Sequence, residues 1–120
     1  MFVKNLEDCK EFRSNDGCHL RELLHSRNDP VELPYSIAVA RVEANESTYK
    51  HKLEQTEVYY IISGSGLMYI DKEVKQVKQG DVILIPPGAI QWMKNTGNID
   101  INFIAIVNPP WTMEQDIRVL

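Results

Sequence analysis

A chain of 120 residues is enough for one domain around one core and too short for two. Its 43% hydrophobic content excludes a disordered chain, and a formal net charge of −4 argues against a nucleic-acid backbone or an anionic membrane as the main partner. No apolar run approaches the roughly 18 residues of a membrane span, and Met1–Lys10 holds no signal-type apolar stretch, so a cytoplasmic protein is expected.

The first 17 residues are polar and mixed, read as a short helix or an irregular arm closed by the turn signal Asn15-Asp16-Gly17. Cys18 to Ser26 alternates as a strand would, with Cys18, Leu20, Glu22 and Leu24 on one face. Cys9 and Cys18, without a Cys-x-x-Cys, read as free thiols. Asn28-Asp29-Pro30 breaks the pattern, and Ser36 to Val42 is the short apolar run of a buried strand. From Asn45 to Gly66 comes the most informative stretch. An extended chain alternates faces, so His51, Leu53, Glu57, Tyr59 and Ile61 share a side if the strand is continuous.

Further strands follow at regular spacing: Leu67 to Ile70, a tight hairpin at Asp71-Lys72, and Val74 to Val77. After the turn Gly80-Asp81 come Val82 to Ile85, the stop Pro86-Pro87-Gly88, and Ile90 to Met93. Asn95 to Asn98 turns the chain, Ile101 to Val107 is the last core strand, Pro109-Pro110-Trp111 ends the sheet, and the acidic tail is expected to pack on the outside. Many short strands with almost no helical period predict an all-β sandwich or barrel in a single domain.

Two spacings in this chain resemble those of the cupins. The first cupin motif, G-x5-H-x-H-x3-E-x6-G, aligns with Asn45, His51, Leu53, Glu57 and Gly64. The second, G-x5-P-x-G-x2-H-x3-N, aligns with Gly80, Pro86, Gly88, Gln91 and Asn95. The phrases Thr-Glu-Val-Tyr-Tyr-Ile-Ile and Ile-Pro-Pro-Gly-Ala-Ile-Gln-Trp narrow the resemblance to the single-domain, mannose-6-phosphate isomerase-like type. It implies a double-stranded β-helix, or jelly-roll, barrel over residues 36–107, with an N-terminal arm and strand at 1–35 and a tail at 108–120. Asn45 stands in place of a glycine, a mild change because asparagine tolerates a left-handed turn. Leu53 and Gln91 stand where the family has histidines. Of the family's four metal ligands, His51 and Glu57 carry over, with Gln91 as a substitute, and Leu53 cannot ligate.

Two readings of the site follow. In one, His51, Glu57 and Gln91 hold Mn²⁺, Fe²⁺, Zn²⁺ or Ni²⁺ with an open position, and Glu57 acts as catalytic base on a sugar or sugar phosphate in an isomerase- or epimerase-type reaction. In the other, a metal-free network of the same groups, with Gln91 and His51 both donating to Glu57, binds or senses a small molecule without turning it over. Leu53, Tyr59, Ile61, Met93 and Phe103 would line the pocket, and Arg41 is the best anion-binding candidate, with a glutamate as its other partner. Trp92 would face outward, toward solvent or a dimer contact. A homodimer is expected, since two-fold dimers are the commonest oligomers.

Overall fold

The computed structural model describes residues 1–119, so Leu120, the end of the expected tail, lies outside the described residues. In chain order the strands are β1 (Phe12–Arg13), β2 (His19–Leu24), β3 (Ser36–Val42), β4 (His51–Lys52), β5 (Thr56–Ser63), β6 (Ser65–Ile70), β7 (Glu73–Lys78), β8 (Val82–Ile85), β9 (Gln91–Lys94), β10 (Ile101–Asn108) and β11 (Ile117–Arg118). They pair antiparallel into two sheets, of order β1-β2-β3-β10-β5-β8 and β11-β4-β9-β6-β7. From β3 onward the chain repeatedly crosses between the sheets, with only β6 and β7 consecutive in one of them. That winding is the jelly roll expected from the sequence.

Period-two patterning decides which face each strand buries. Along β5, Glu57, Tyr59 and Ile61 turn inward while Tyr60 and Ile62 are exposed. Along β10, Ile101, Phe103, Ala105 and Val107 turn inward. These side chains and Leu53, Met68, Ile85 and Met93 make the core between the sheets; burying one large apolar side chain contributes about 1.5–3 kcal/mol. The apolar run of β8 is only half buried: Ile83 and Ile85 face the core, while Val82 and Leu84 face solvent, because successive side chains of a strand point to opposite faces.

Turn chemistry sets the register. Asn45 lies at φ 64°, as its place in the motif required, and Asp71 at φ 52° turns the β6–β7 hairpin. Gly64, at φ 87°, separates β5 from β6, and a Cβ there would stand 2.5 Å from the Asp100 carbonyl.

The tail departs from expectation. Beyond β10 it passes through a 3₁₀ turn at Met113–Gln115 and joins the second sheet as β11, pairing with β4 at Arg118↔His51. Trp111 and Asp116 are 7% and 5% exposed, so the segment closes over one end of the barrel instead of lying on its outside. Trp111 is the largest apolar group in that segment, and its backbone N–H reaches Ser36 Oγ at 2.9 Å, which ties it down.

Candidate functional site

His51 and Gln91 face each other across the β4–β9 pair of one sheet, and Glu57 projects from β5 of the other. All three are buried. A short chain of hydrogen bonds runs from Tyr59 through Gln91 to Glu57: Tyr59 OH donates to Gln91 Oε1 at 3.1 Å, and Gln91 Nε2 donates to Glu57 Oε1 at 2.7 Å. The expected bond from His51 to Glu57 is absent from it.

His51 instead lies between two carboxylates that sequence reasoning did not single out. Its Nδ1 is 2.8 Å from Asp116 Oδ1, and its Nε2 is 3.2 Å from Asp16 Oδ2. Nδ1–H donates to Asp116, and Asp16 stands opposite Nε2 as a second acidic neighbour. Burial by itself lowers the pKa of His51. The hydrogen bond to Asp116 and the charges of Asp16, Asp116 and Glu57 outweigh burial and hold it above the ordinary value. The second oxygen of each carboxylate is also held. Asp16 Oδ1 accepts from Ser14 Oγ and, at 3.0 Å, from the Cys18 N–H, while Asp116 Oδ2 accepts from the Trp111 indole at 3.0 Å.

Glu57 has the opposite character. Burial pushes its carboxyl up to about 7, against the downward pull of the Gln91 hydrogen bond and the His51 charge. Among the described residues no donor reaches its Oε2, and Glu57 lines a cavity of about 30 Å³. The cavity wall also includes Asp16, His25, His51, Tyr59, Phe103, Trp111 and Asp116. Burial drives Tyr59 and Cys18 well above their usual pKa values, so they stay a neutral phenol and a neutral thiol. His25 Nδ1 accepts from the Arg27 N–H at 3.0 Å, so its Nε2 donates to the Trp111 carbonyl at 2.6 Å, a structural role.

Of the other expected lining residues, Tyr59 and Phe103 reach the cavity, their rings 4.4 Å apart. Leu53 and Ile61 are fully buried core and do not reach it. Met93 packs beside His51 and Gln91 where no open volume remains. Arg41 is not in the pocket: β3 turns it to the outer face, where it donates to Glu11 at 2.8 and 3.1 Å and to Asp100 at 3.3 Å. Trp92 stacks on Tyr69 at 4.3 Å with the Lys50 ammonium over it, outside the barrel interior.

The motif positions, as arranged, do not make a metal cradle. His51 has its Nδ1 bonded to Asp116 and its Nε2 facing Asp16, and Gln91 turns its NH₂ toward Glu57. Among the described residues, one trio of His, Cys, Asp or Glu side chains brings its ligand atoms within 4.8 Å of one another: His19, Glu43 and Glu46. Arg41 and Arg13 already sit against Glu43 and Glu46, at 3.7 and 3.4 Å.

Two antiparallel sheets wound as a jelly roll around a buried pocket define a small β-barrel. The chain belongs to the cupins: the model of the cupin domain matches residues 38–107. An uncharacterized protein of Methanocaldococcus jannaschii, MJ1618, is 38% identical over 112 residues, covering 92% of this chain and 88% of that one. An oxalate-binding protein of Thermotoga maritima is 36% identical over 59 residues; the match spans 49% of this chain and about half (48%) of that relative's length. The polyketide cyclase RemF of Streptomyces resistomycificus superposes with a TM-score of 0.78 over 100% of this chain and 86% of its own, at 19% identity, a likeness of fold. No helix among the described residues is long and apolar enough to cross a membrane.

Proposed function

We propose that this cupin binds a small organic molecule at the closed end of its barrel without a resident metal ion, with Glu57 as the group that meets it. The observation that carries this reading is the division of labour at the site. His51 is hydrogen-bonded to Asp116 and faces Asp16 at 3.2 Å, whereas Glu57 lines the cavity with one oxygen outside its bond to Gln91. His51 then serves as a fixed positive charge that holds the N-terminal turn and the C-terminal segment together. A carboxyl with a pKa of about 7 can either donate or accept a proton near neutral pH, which suits general acid–base work on a bound substrate.

Two finer expectations fare differently. Among the described residues a sugar phosphate finds no lysine or arginine on the cavity wall, since Arg41 is outside. The name of the oxalate-binding relative points to a dianion, which meets the same difficulty. A metal ion at His51, Glu57 and Gln91 remains the competing reading; it requires His51 to lose a proton and one carboxylate to withdraw. The expected homodimer stays part of the proposal, supported by the exposed apolar side chains Tyr60, Ile62, Val82 and Leu84 on neighbouring strands β5 and β8, and light scattering reads it directly.

The test is elemental analysis of protein purified without chelator, together with ¹H–¹⁵N spectra of the imidazole ring during titration with Mn²⁺, Fe²⁺, Zn²⁺ and Ni²⁺. We expect no stoichiometric metal and a His51 ring that keeps two N–H protons. One equivalent of metal with a perturbed His51 would overturn the metal-free reading. A fragment library without a single hit at Trp111 would overturn small-molecule binding.

A further inference from the structure

We infer that the pocket takes a small protonated amine and disfavours carboxylate and phosphate ligands. This rests on the reading of the cavity as a small-molecule site and names the ligand chemistry that site would select.

The charges on the wall set the sign. Asp16, Glu22, Glu57 and Asp116 line the cavity, and among the described residues no lysine or arginine does. Arg27 pairs with Glu22 at 2.7 Å, and His51 stands between Asp116 at 2.8 Å and Asp16 at 3.2 Å, so Glu57 is the acid left without a basic partner within ion-pair distance. An anion entering the cavity would therefore find acceptors and no free donor with charge. It would be desolvated beside like charges, the arrangement that costs most in a low-dielectric interior. A cation meets the reverse.

A second feature points to a donor-bearing guest. Glu57 is only 5% exposed, yet its Oε2 lacks a protein donor and borders the open volume. An ammonium N–H can donate to that oxygen. The wall beside it is aromatic. Tyr59, Phe103 and Trp111 present rings to the same cavity, and a cation is attracted to ring faces when water is excluded. Carboxylates and aromatic faces together favour an amine over a neutral molecule of equal size. The volume of about 30 Å³ is of the order of one or two water molecules, which fits a guest of two heavy atoms.

The probe is accordingly methylammonium, with methanol as its neutral counterpart of equal size and oxalate and inorganic phosphate as anions. The chain contains two tryptophans. Trp111 donates its indole N–H to Asp116 on the cavity wall, and Trp92 stacks on Tyr69 on the exterior. Indole ¹H–¹⁵N peaks therefore report the site and an internal control in one spectrum. At pH 7.5 and constant ionic strength, methylammonium should move the Trp111 peak saturably, leave Trp92 in place, and bind at least tenfold more tightly than methanol. Glu57→Gln should weaken it at least tenfold; if that variant does not fold, the methylammonium-to-methanol ratio in the unaltered protein decides. Saturable shifts with oxalate or phosphate, or equal affinity for methanol and methylammonium, would overturn the amine while leaving a small-molecule pocket. No Trp111 shift with any probe would overturn the inference, and the wider fragment screen then decides the pocket itself.

Discussion

Replacing Glu57 by glutamine removes one ionisable group and keeps its shape, so the variant isolates the energetic consequence of burying that carboxyl. The folded-state pKa is about 7 against 4.5 for the free group. Between those values the folded protein holds a proton that the unfolded chain has released, so the folded state binds more protons and stability must fall as pH rises. The loss begins above about pH 4.5 and is complete somewhat above pH 7. Its size is 2.5 pKa units at 1.36 kcal/mol each, or about 3 kcal/mol. His51 acts in the same direction. Its folded pKa is raised above 6.5, so its contribution is whole below that value and fades as pH rises through the folded pKa. The difference between the unaltered protein and Glu57→Gln largely removes the histidine, since both proteins retain it. Urea unfolding at half-unit intervals from pH 4.5 to 8.5 reads the two free energies. The glutamine variant should gain about 3 kcal/mol on the unaltered protein across that window, because Gln91 can still donate to an amide oxygen at position 57. Parallel curves would refute the reasoning: the carboxyl would then be solvated in the folded state and poised for nothing.

Asp116→Asn leaves the indole bond from Trp111 available but removes the charge opposite His51 Nδ1. Since Asp16 still faces the other nitrogen, the loss should be that of one charge-assisted hydrogen bond, about 1.5–3 kcal/mol in a urea midpoint assay at pH 6. Asn95 is fully buried, and its side chain bonds the Val42 and Ile99 carbonyls and the Gly97 N–H; Asn95→Ala should cost about 3 kcal/mol by the same assay. Gly66→Ala would drive a Cβ into the Lys94 carbonyl of the neighbouring strand, with a cost of about 1–3 kcal/mol, whereas Gly97→Ala, whose nearest non-neighbouring atom lies at 3.6 Å, should leave the thermal midpoint nearly unchanged.

Much of the barrel was legible because side-chain period and turn chemistry are local. The bounds of Ser36–Val42 and Val82–Ile85 are those the sequence suggests, and the inward faces of β5 and β10 follow from alternation alone. The left-handed turn at Asn45 also follows from the residue type. The motif register likewise places His51, Glu57 and Gln91 in one buried cluster. Arg41 was misplaced for a local reason too: residues of matching parity in β3, such as Ile37 and Val39, are apolar without being core, so polarity did not mark the inner face.

What alternation could not supply was the partner set. Asp16 lies 35 positions before His51 and Asp116 lies 65 after it, in a turn and a tail that carry no periodic signal. A hint was present in Trp111, a large apolar side chain in a segment otherwise read as exterior. The sequence alone determined an all-β cupin barrel with a histidine and a glutamate facing inward, since those depend on spacing along a strand. Only the tertiary structure decided that the histidine stands between Asp16 and Asp116 while the glutamate bonds Gln91 and lines the cavity. Protonation and ligation depend on which charges stand within hydrogen-bond reach, and that distance is set by how the two ends of the chain fold back over the barrel.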